Sequence, residues 1–203
     1  MGGEPNRWED VYQSKAEAET SWFEDRPQVS LDLIAVTGAT SDAAIVDVGA
    51  GASRLVDCLL EEGFRTITVL DLSETALAKA RARLPKDAPV EWVVANVLDW
   101  QPSMPFDVWH DRAAFHFLTD FADQETYLRV MDRALVPGGH AIIGTFAPDG
   151  PDKCSGLPVT RFDATLLTER LGPDYRLIRS LMHDHHTPWG SVQRFHFGLF
   201  KKN

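Results

Sequence analysis

The chain has 203 residues, is 44% hydrophobic, and carries 30 acidic against 20 basic side chains, a formal charge of −10. That size and apolar content fit one globular domain with a full core, and the acidic balance with scattered Lys and Arg argues against a nucleic-acid partner, since neutralising phosphates needs a basic face. No apolar run approaches a membrane span, the first ten residues hold no apolar stretch of the secretory-signal kind, and Cys58 and Cys154 are too few for a disulfide framework, so a cytoplasmic setting is expected.

Residues 8–20 read as a helical lid with Trp8, Val11 and Tyr12 on one face, interrupted at Ser21-Trp22-Phe23. Pro27 suits the opening of a second helix that runs to about Thr37 and stops at Gly38. The chain then alternates: strand 44–48, helix 53–62, strand 66–70, helix 74–84 capped by Ser73, strand 90–95 and strand 106–109. A helix over 124–135 ends at Pro137-Gly138-Gly139 and a strand follows over 140–146. Beyond a polar Pro/Gly loop at 147–158 come a short helix near 163–171 and two β-like runs, 175–183 and 192–200, joined through Thr187-Pro188-Trp189-Gly190. Alternating strands and helices call for a parallel sheet with right-handed crossovers. The last two runs, with no helix between them, call for an antiparallel hairpin at its edge. The expectation is an α/β fold, a doubly wound sheet in a single domain: a lid over 1–40, a cofactor-binding core over 41–146, and a substrate-side loop, helix and hairpin over 147–203.

Within that pattern, Ile45-Val46-Asp47-Val48-Gly49-Ala50-Gly51-Ala52-Ser53 places a glycine turn at the end of the first strand, and Asp71 ends the second. Gly49 and Gly51 let the backbone approach a ligand closely. A carboxylate at Asp71 can accept both hydroxyls of a ribose, or serve the N-terminus of the next helix. A dinucleotide fingerprint would need one more glycine, where Ser53 and Arg54 stand; Asp47 would also repel a pyrophosphate and attract an ammonium or sulfonium.

The order hydrophobic-hydrophobic-Asp-x-Gly-x-Gly-x-Ser followed by Asp71 resembles the first motif of class I S-adenosylmethionine-dependent methyltransferases, with Ser53 in place of the family's third glycine, where a serine can N-cap the helix. With the terminal hairpin, the resemblance spans nearly the whole chain. It implies a seven-stranded, Rossmann-like methyltransferase fold, S-adenosylmethionine as cofactor and S-adenosylhomocysteine as product. It also implies a cofactor site of Asp47, Gly49, Gly51, Asp71, Leu72, Asn96 and Val97. Leu72 would pack on the adenine, and Asp47 would orient the glycine loop and favour the methionine ammonium. Asn96 stands where the family usually has an acid facing the adenine amino group, and it equally suits an ordinary turn.

On the acceptor side, Trp109-His110-Asp111-Arg112 resembles the Trp-Asp-Arg-Gly segment of thiopurine S-methyltransferases and, more loosely, the Asp-Lys-Gly segment of elongation-factor and citrate-synthase lysine methyltransferases. His186-Thr187-Pro188-Trp189-Gly190 is similar to the thiopurine enzymes' last hairpin. Asp111 or His116 suits removal of the nucleophile's proton, and Arg112 suits clamping an anion. Tyr12 and Trp22 suit closing over the site. Asp111 and Arg112 also suit a structural ion pair, and His116 a packed histidine. Alternation puts His183 and His185 on one strand face, which a polar hairpin explains without a metal. The reading is methyl transfer to a small-molecule sulfur, nitrogen or oxygen nucleophile by a monomer or weak dimer. A protein-lysine methyltransferase and a non-catalytic cofactor-binding protein are the alternatives. The glycine pattern and the lack of a Tyr-x-x-x-Lys pair speak against a nicotinamide oxidoreductase.

Overall fold

The computed structural model describes residues 5–203, so the first four residues of the polar opening stretch lie outside the described residues. Seven strands, β1 (Ala44–Val48), β2 (Thr66–Asp71), β3 (Val90–Val94), β4 (Phe106–Arg112), β5 (Leu135–Phe146), β6 (Tyr175–His186) and β7 (Val192–Lys202), form one sheet. Its order is 3-2-1-4-5-7-6. β1 to β5 pair in parallel, and β7 runs antiparallel to both β5 and β6. This is the Rossmann-like, mostly parallel seven-stranded sheet with a terminal antiparallel hairpin that the alternation of strands and helices called for.

Six helices accompany it: α1 (Pro5–Ser14), α2 (Gln28–Thr37), α3 (Leu55–Glu61), α4 (Glu74–Arg83), α5 (Phe121–Ala134) and α6 (Ala164–Leu171). Every residue of β1 is buried, as a central parallel strand covered on both faces requires. Tyr127 and Val130 of α5 and Leu167 of α6 pack with Val46 and Trp109 on one face. On the other, Leu33 and Ile34 of α2 and Leu55 and Leu59 of α3 pack with Ile45 and Val108. Among the described residues no helix is long and apolar enough to cross a membrane.

The elements differ from the sequence expectation mainly at their ends. β4 runs to Arg112, beyond the expected 106–109, because His110 and Asp111 pair with Asp47 and Val48 of β1 on one side and Ile142 and Ile143 of β5 on the other. Ladder bonds on both sides outweigh the polar side chains. α5 starts at Phe121 because the Asp120 side chain accepts from Ala122 N at 2.8 Å. α3 begins at Leu55 with Arg54 at the cap position, while Ser53 accepts from Leu55 N at 3.1 Å one residue outside it. The lid is α1 and a separate 3₁₀ turn at Glu17–Glu19 rather than one helix over 8–20. The 147–158 loop contains a small hairpin, Lys153–Cys154 with Leu157–Pro158. Gly38 closes α2 in the left-handed conformation at φ 77°.

The centre of the sheet tolerates no added volume at one glycine. A Cβ on Gly144 of β5 would stand 2.6 Å from the Phe197 ring of β7. Gly144→Ala should lower stability by about 1–3 kcal/mol, read as a lower urea midpoint at unchanged slope; an unaltered midpoint would show that the contact has slack.

Candidate active site

β1 is followed by α3 and then β2 on one side, while β4 lies on its other side, so a crevice opens beyond the carboxyl ends of β1 and β4, where open α/β sheets bind ligands. The turn that lines it needs glycine twice. Gly49 and Gly51 have φ of 64° and 57°. A Cβ on Gly49 would run into the Ala114 methyl group, and one on Gly51 into the Tyr12 hydroxyl. Gly49 N–H and Ala50 N–H both donate to the Leu70 carbonyl, at 2.8 and 3.2 Å, which ties the turn to β2.

Asp71 ends β2 with its oxygens divided between two backbone donors: Oδ2 accepts from Gly51 N–H and Oδ1 from Ser73 N–H, both at 2.8 Å. Burial pushes its pKa up to about 6, against the pull of those two amides. Each oxygen keeps accepting capacity, and the residue lines the cavity.

Asp71, Leu72, Ala95 and Val97 line one end of that cavity; Ala113, Ala114, Phe117 and Phe195 line the other. Trp8, Tyr12 and Trp22 also line it. Trp8 meets the Phe117 ring edge-on at 5.0 Å and Trp22 at 5.9 Å, and Tyr12 meets Trp22 at 6.0 Å. α1 is fastened to the start of α4: Glu9 accepts from the hydroxyls of Ser73 and Thr75, which hold its carboxyl down at about 2. Lys79 Nζ donates to the Tyr12 and Lys15 carbonyls at 2.5 and 2.7 Å.

The other residues singled out in the sequence divide between wall and frame. Val97 lines the cavity; Asn96 does not, and its amide oxygen accepts from Leu98 N at 3.1 Å in the turn behind. Asp47 is 3% exposed and lies under the glycine turn, where His110 Nδ1 is 2.7 Å from its Oδ1 and His110 Nε2 is 2.8 Å from Ser30 Oγ. The ring thus bridges the Asp47 carboxylate and the Ser30 hydroxyl.

Asp111 is fully buried and accepts from Ala114 N at 2.9 Å, Phe115 N at 3.0 Å and the Tyr127 hydroxyl at 2.5 Å. Burial pushes its pKa up to about 6, opposed by the Tyr127 hydroxyl and the Ala114 amide. Those bonds hold the turn in which Ala113 adopts φ 71°, the turn that presents Ala113 and Ala114 to the cavity. The Asp111–Arg112 ion pair anticipated as one reading does not form. Successive residues of a strand point to opposite faces, and Arg112 instead pairs with Glu24 at 3.2 Å and donates to the Trp22 carbonyl at 3.1 Å. His116 is fully buried against Phe117 and Phe146, at 4.4 and 4.9 Å between ring centres, with both ring nitrogens unpartnered. Burial pushes its pKa down to about 3, which keeps the ring neutral.

Several wall and frame residues carried no sequence signal of their own. Phe195 and Gln193 of β7 and Cys154 of the small hairpin enter the cavity from distant segments. The Asp47–His110 contact becomes visible only when β1 and β4 are set in register. Glu24, His183 and His185 bring ligand-type atoms within 4.8 Å of one another. The Arg112 guanidinium reaches the same Glu24 oxygen at 3.2 Å.

A family model described as a methyltransferase domain matches residues 45–139. Trans-aconitate 2-methyltransferase of Acidovorax ebreus strain TPSY is 32% identical over 132 residues, 64% of this chain and 48% of that protein. Nodulation protein S of Rhizobium tropici is 29% identical over 103 residues, 51% of this chain and 43% of that protein. The chain thus spans about half the length of these sequence relatives. Among solved structures, the 1,6-didemethyltoxoflavin-N1-methyltransferase of Burkholderia thailandensis with bound S-adenosylhomocysteine superposes with a TM-score of 0.71 at 24% identity, covering 98% of this chain and 83% of that one. The N-methyltransferase NodS of Bradyrhizobium japonicum WM9 with S-adenosylhomocysteine gives a TM-score of 0.73 at 15% identity, covering 96% and 98%. Fold and glycine turn together define the class, a Rossmann-like α/β protein with a crevice beyond the carboxyl ends of β1 and β4. Residues 45–139 match a methyltransferase domain, and the chain has the fold of solved methyltransferases that bind S-adenosylhomocysteine.

Asp111 offers a direct check on what is frame and what is wall. Asp111→Asn loses charge and one acceptor under two amides and a hydroxyl, and should lower stability by about 1–3 kcal/mol. Unchanged stability with abolished turnover would make Asp111 a group of the chemistry instead.

Proposed function

We propose that this chain is a methyltransferase that holds S-adenosylmethionine with its adenosyl end at Asp71 and methylates a small, largely apolar nucleophile held under the lid. One observation carries this reading: a single cavity joins a carboxylate suited to a ribose, at Asp71, to an aromatic chamber of Trp8, Trp22, Phe117 and Phe195. Bound there, the cofactor supplies an electrophilic methyl group on a sulfonium sulfur.

The residues fit that group. Asp71 accepts the ribose hydroxyls with the lone pairs its two backbone donors leave free, and Leu72 and Val97 pack against the adenine. Gly49 and Gly51 keep the backbone bare beside the methionine moiety. Asp47, steadied by His110, supplies negative charge under its ammonium. Asn96 fixes the turn that sets Ala95 and Val97. In this division of labour residues 1–40 form the lid, 41–146 the cofactor core and 147–203 the acceptor side.

The chamber also bears on the acceptor. Arg112 is the one cation in its wall, and Asp71 at the far end the one carboxylate. A tricarboxylate of the aconitate kind would need several cations, so the wall suits an acceptor with at most one negative charge. Asp111 and His116 lie in the frame, so the nucleophile sheds its proton without an ionised base beside it. That favours a thiol, ordinarily near 8.5, or a similarly acidic N–H or O–H, over an alkylamine near 10.4. Tyr12 and Trp22 exclude water, and positioning does the rest.

Two measurements test this. Asp71→Ala should weaken S-adenosylhomocysteine binding by about 1–3 kcal/mol in calorimetry, and unchanged affinity in a folded variant would overturn the ribose assignment. The wild-type affinity should also fall as pH drops through about 6, where Asp71 takes up a proton and loses acceptor capacity. With a panel of acceptors at pH 7, transfer of labelled methyl should favour aromatic thiols over alkylamines. Tight cofactor binding with no acceptor methylated would make the chain a non-catalytic binder.

A further inference from the structure

The segment that carries Trp22 over the cavity is fastened to the sheet mainly through one carboxylate. Glu24 Oε1 lies 3.2 Å from Arg112 Nη2 on β4, and 3.0 Å from His185 Nδ1 and 3.6 Å from His183 Nε2 on β6. The Trp22 carbonyl accepts from the same guanidinium. The other nitrogen of His185, Nε2, lies 2.6 Å from the Ser21 carbonyl oxygen. The ring therefore faces an oxygen acceptor at each nitrogen, a carboxylate on one side and a peptide carbonyl on the other.

Neither partner has a proton to give. A neutral imidazole has a single N–H and satisfies one of them; an imidazolium donates to both. His185 is 2% exposed, so a neutral ring would turn an unshared electron pair on an acceptor with little room for water between them. Because Ser21 and Glu24 flank Trp22, the two bonds of the ring bracket the residue that covers the cavity.

We propose that His185 is a proton-operated latch on this lid segment: as imidazolium it ties Ser21 and Glu24 to the hairpin and holds Trp22 over the cofactor, and loss of its proton frees the segment to open. The inference rests on reading the cavity as the cofactor site.

The charges around the ring come from three elements. Glu24 on the lid segment favours the proton. Arg112 on β4 and His183 on β6 share the Glu24 oxygen and oppose it. β7 contributes only the Phe195 ring, edge-on at 6.2 Å. Asp184 is turned away to Arg194, at 2.8 Å. The Glu24 carboxyl is buried, which works to raise it, yet the His185 bond and the Arg112 charge hold it below its ordinary value, so it stays an anion beside the ring.

The sign follows. The closed lid binds the His185 proton more tightly than the open lid, so the closed form is favoured at low pH. That advantage is lost as pH rises and the ring gives up its second N–H proton. Asp71 acts in the opposite direction, its protonation at low pH weakening affinity.

The test is the dissociation rate of S-adenosylhomocysteine from the full chain, followed by tryptophan fluorescence in stopped flow from pH 6.5 to 9. In the wild type the rate should rise at least about tenfold with pH, the loss of one charge-assisted bond. In His185→Gln, which has no proton to lose, it should be fast and flat with pH; Glu24→Gln, lacking the anion that retains the proton, should also release fast at pH 6.5. A wild-type rate independent of pH, or a wild-type profile retained in His185→Gln, overturns the latch while leaving the cofactor site intact. Absence of binding at every pH overturns the cofactor reading instead. Nitrogen-15 NMR of the free protein decides the latch without ligand: at pH 6.5 both ring nitrogens of His185 should carry protons, and a ring with one proton overturns the proposal.

Discussion

The bond from Gly51 N–H to the Asp71 carboxylate is the constraint on which the rest of this site depends. It spans from the turn after β1 to the end of β2 and holds a carboxylate at 8% exposure beside a cavity. Ionised carboxylates are expensive to bury, and this one is tolerated because two amides point at it. The Gly51 amide is turned toward it by a loop in which Gly49 and Gly51 take left-handed conformations. Ser73, the second donor to Asp71, also caps α4 through its hydroxyl and meets Glu9 of the lid. One short stretch of chain thereby sets the crevice floor, the start of a helix and the seat of the lid.

The lid is held by two carboxylates of different character. Glu9 sits among hydroxyls at the N-terminus of α4, held down at about 2, and remains an anchor across the neutral range. Glu24 is held by an arginine and two histidines. Only the second anchor has imidazole partners. The segment over the cavity therefore has one end, at Tyr12, tied down beside α4, and another, at Trp22, held through a mixed cluster of arginine, carboxylate and imidazoles.

Around the far end of the cavity, the buried polar residues serve geometry. Trp109 donates to Tyr127, Tyr127 to Asp111, and Asp111 takes the amides of Ala114 and Phe115. The chain of bonds fixes a strained turn and leaves small side chains, Ala113 and Ala114, facing the cavity. A wall of alanines and aromatic rings with one arginine suits a reaction governed by distance, alignment and exclusion of water more than by proton transfer.

The glycine turn, the carboxylate ending β2, the alternation of strands and helices and the closing hairpin were legible along the chain, because each is dictated by neighbours within a few residues: periodicity, turn geometry, a cap. Asn96 and Asp111 were legible as positions but not as partners, since whether an oxygen faces a ligand or a nearby amide depends on the course of the turn beyond it. His110 meeting Asp47, Arg112 meeting Glu24, and His185 meeting both Ser21 and Glu24 join residues 63, 88, 164 and 161 positions apart. By itself the sequence determined the class of fold, the glycine turn and the carboxylate ending β2, through local physics. Which charges pair, which polar groups are wall and which are frame, and how the lid is fastened were decided only by the tertiary structure, because strand register and burial bring together groups that no local pattern connects.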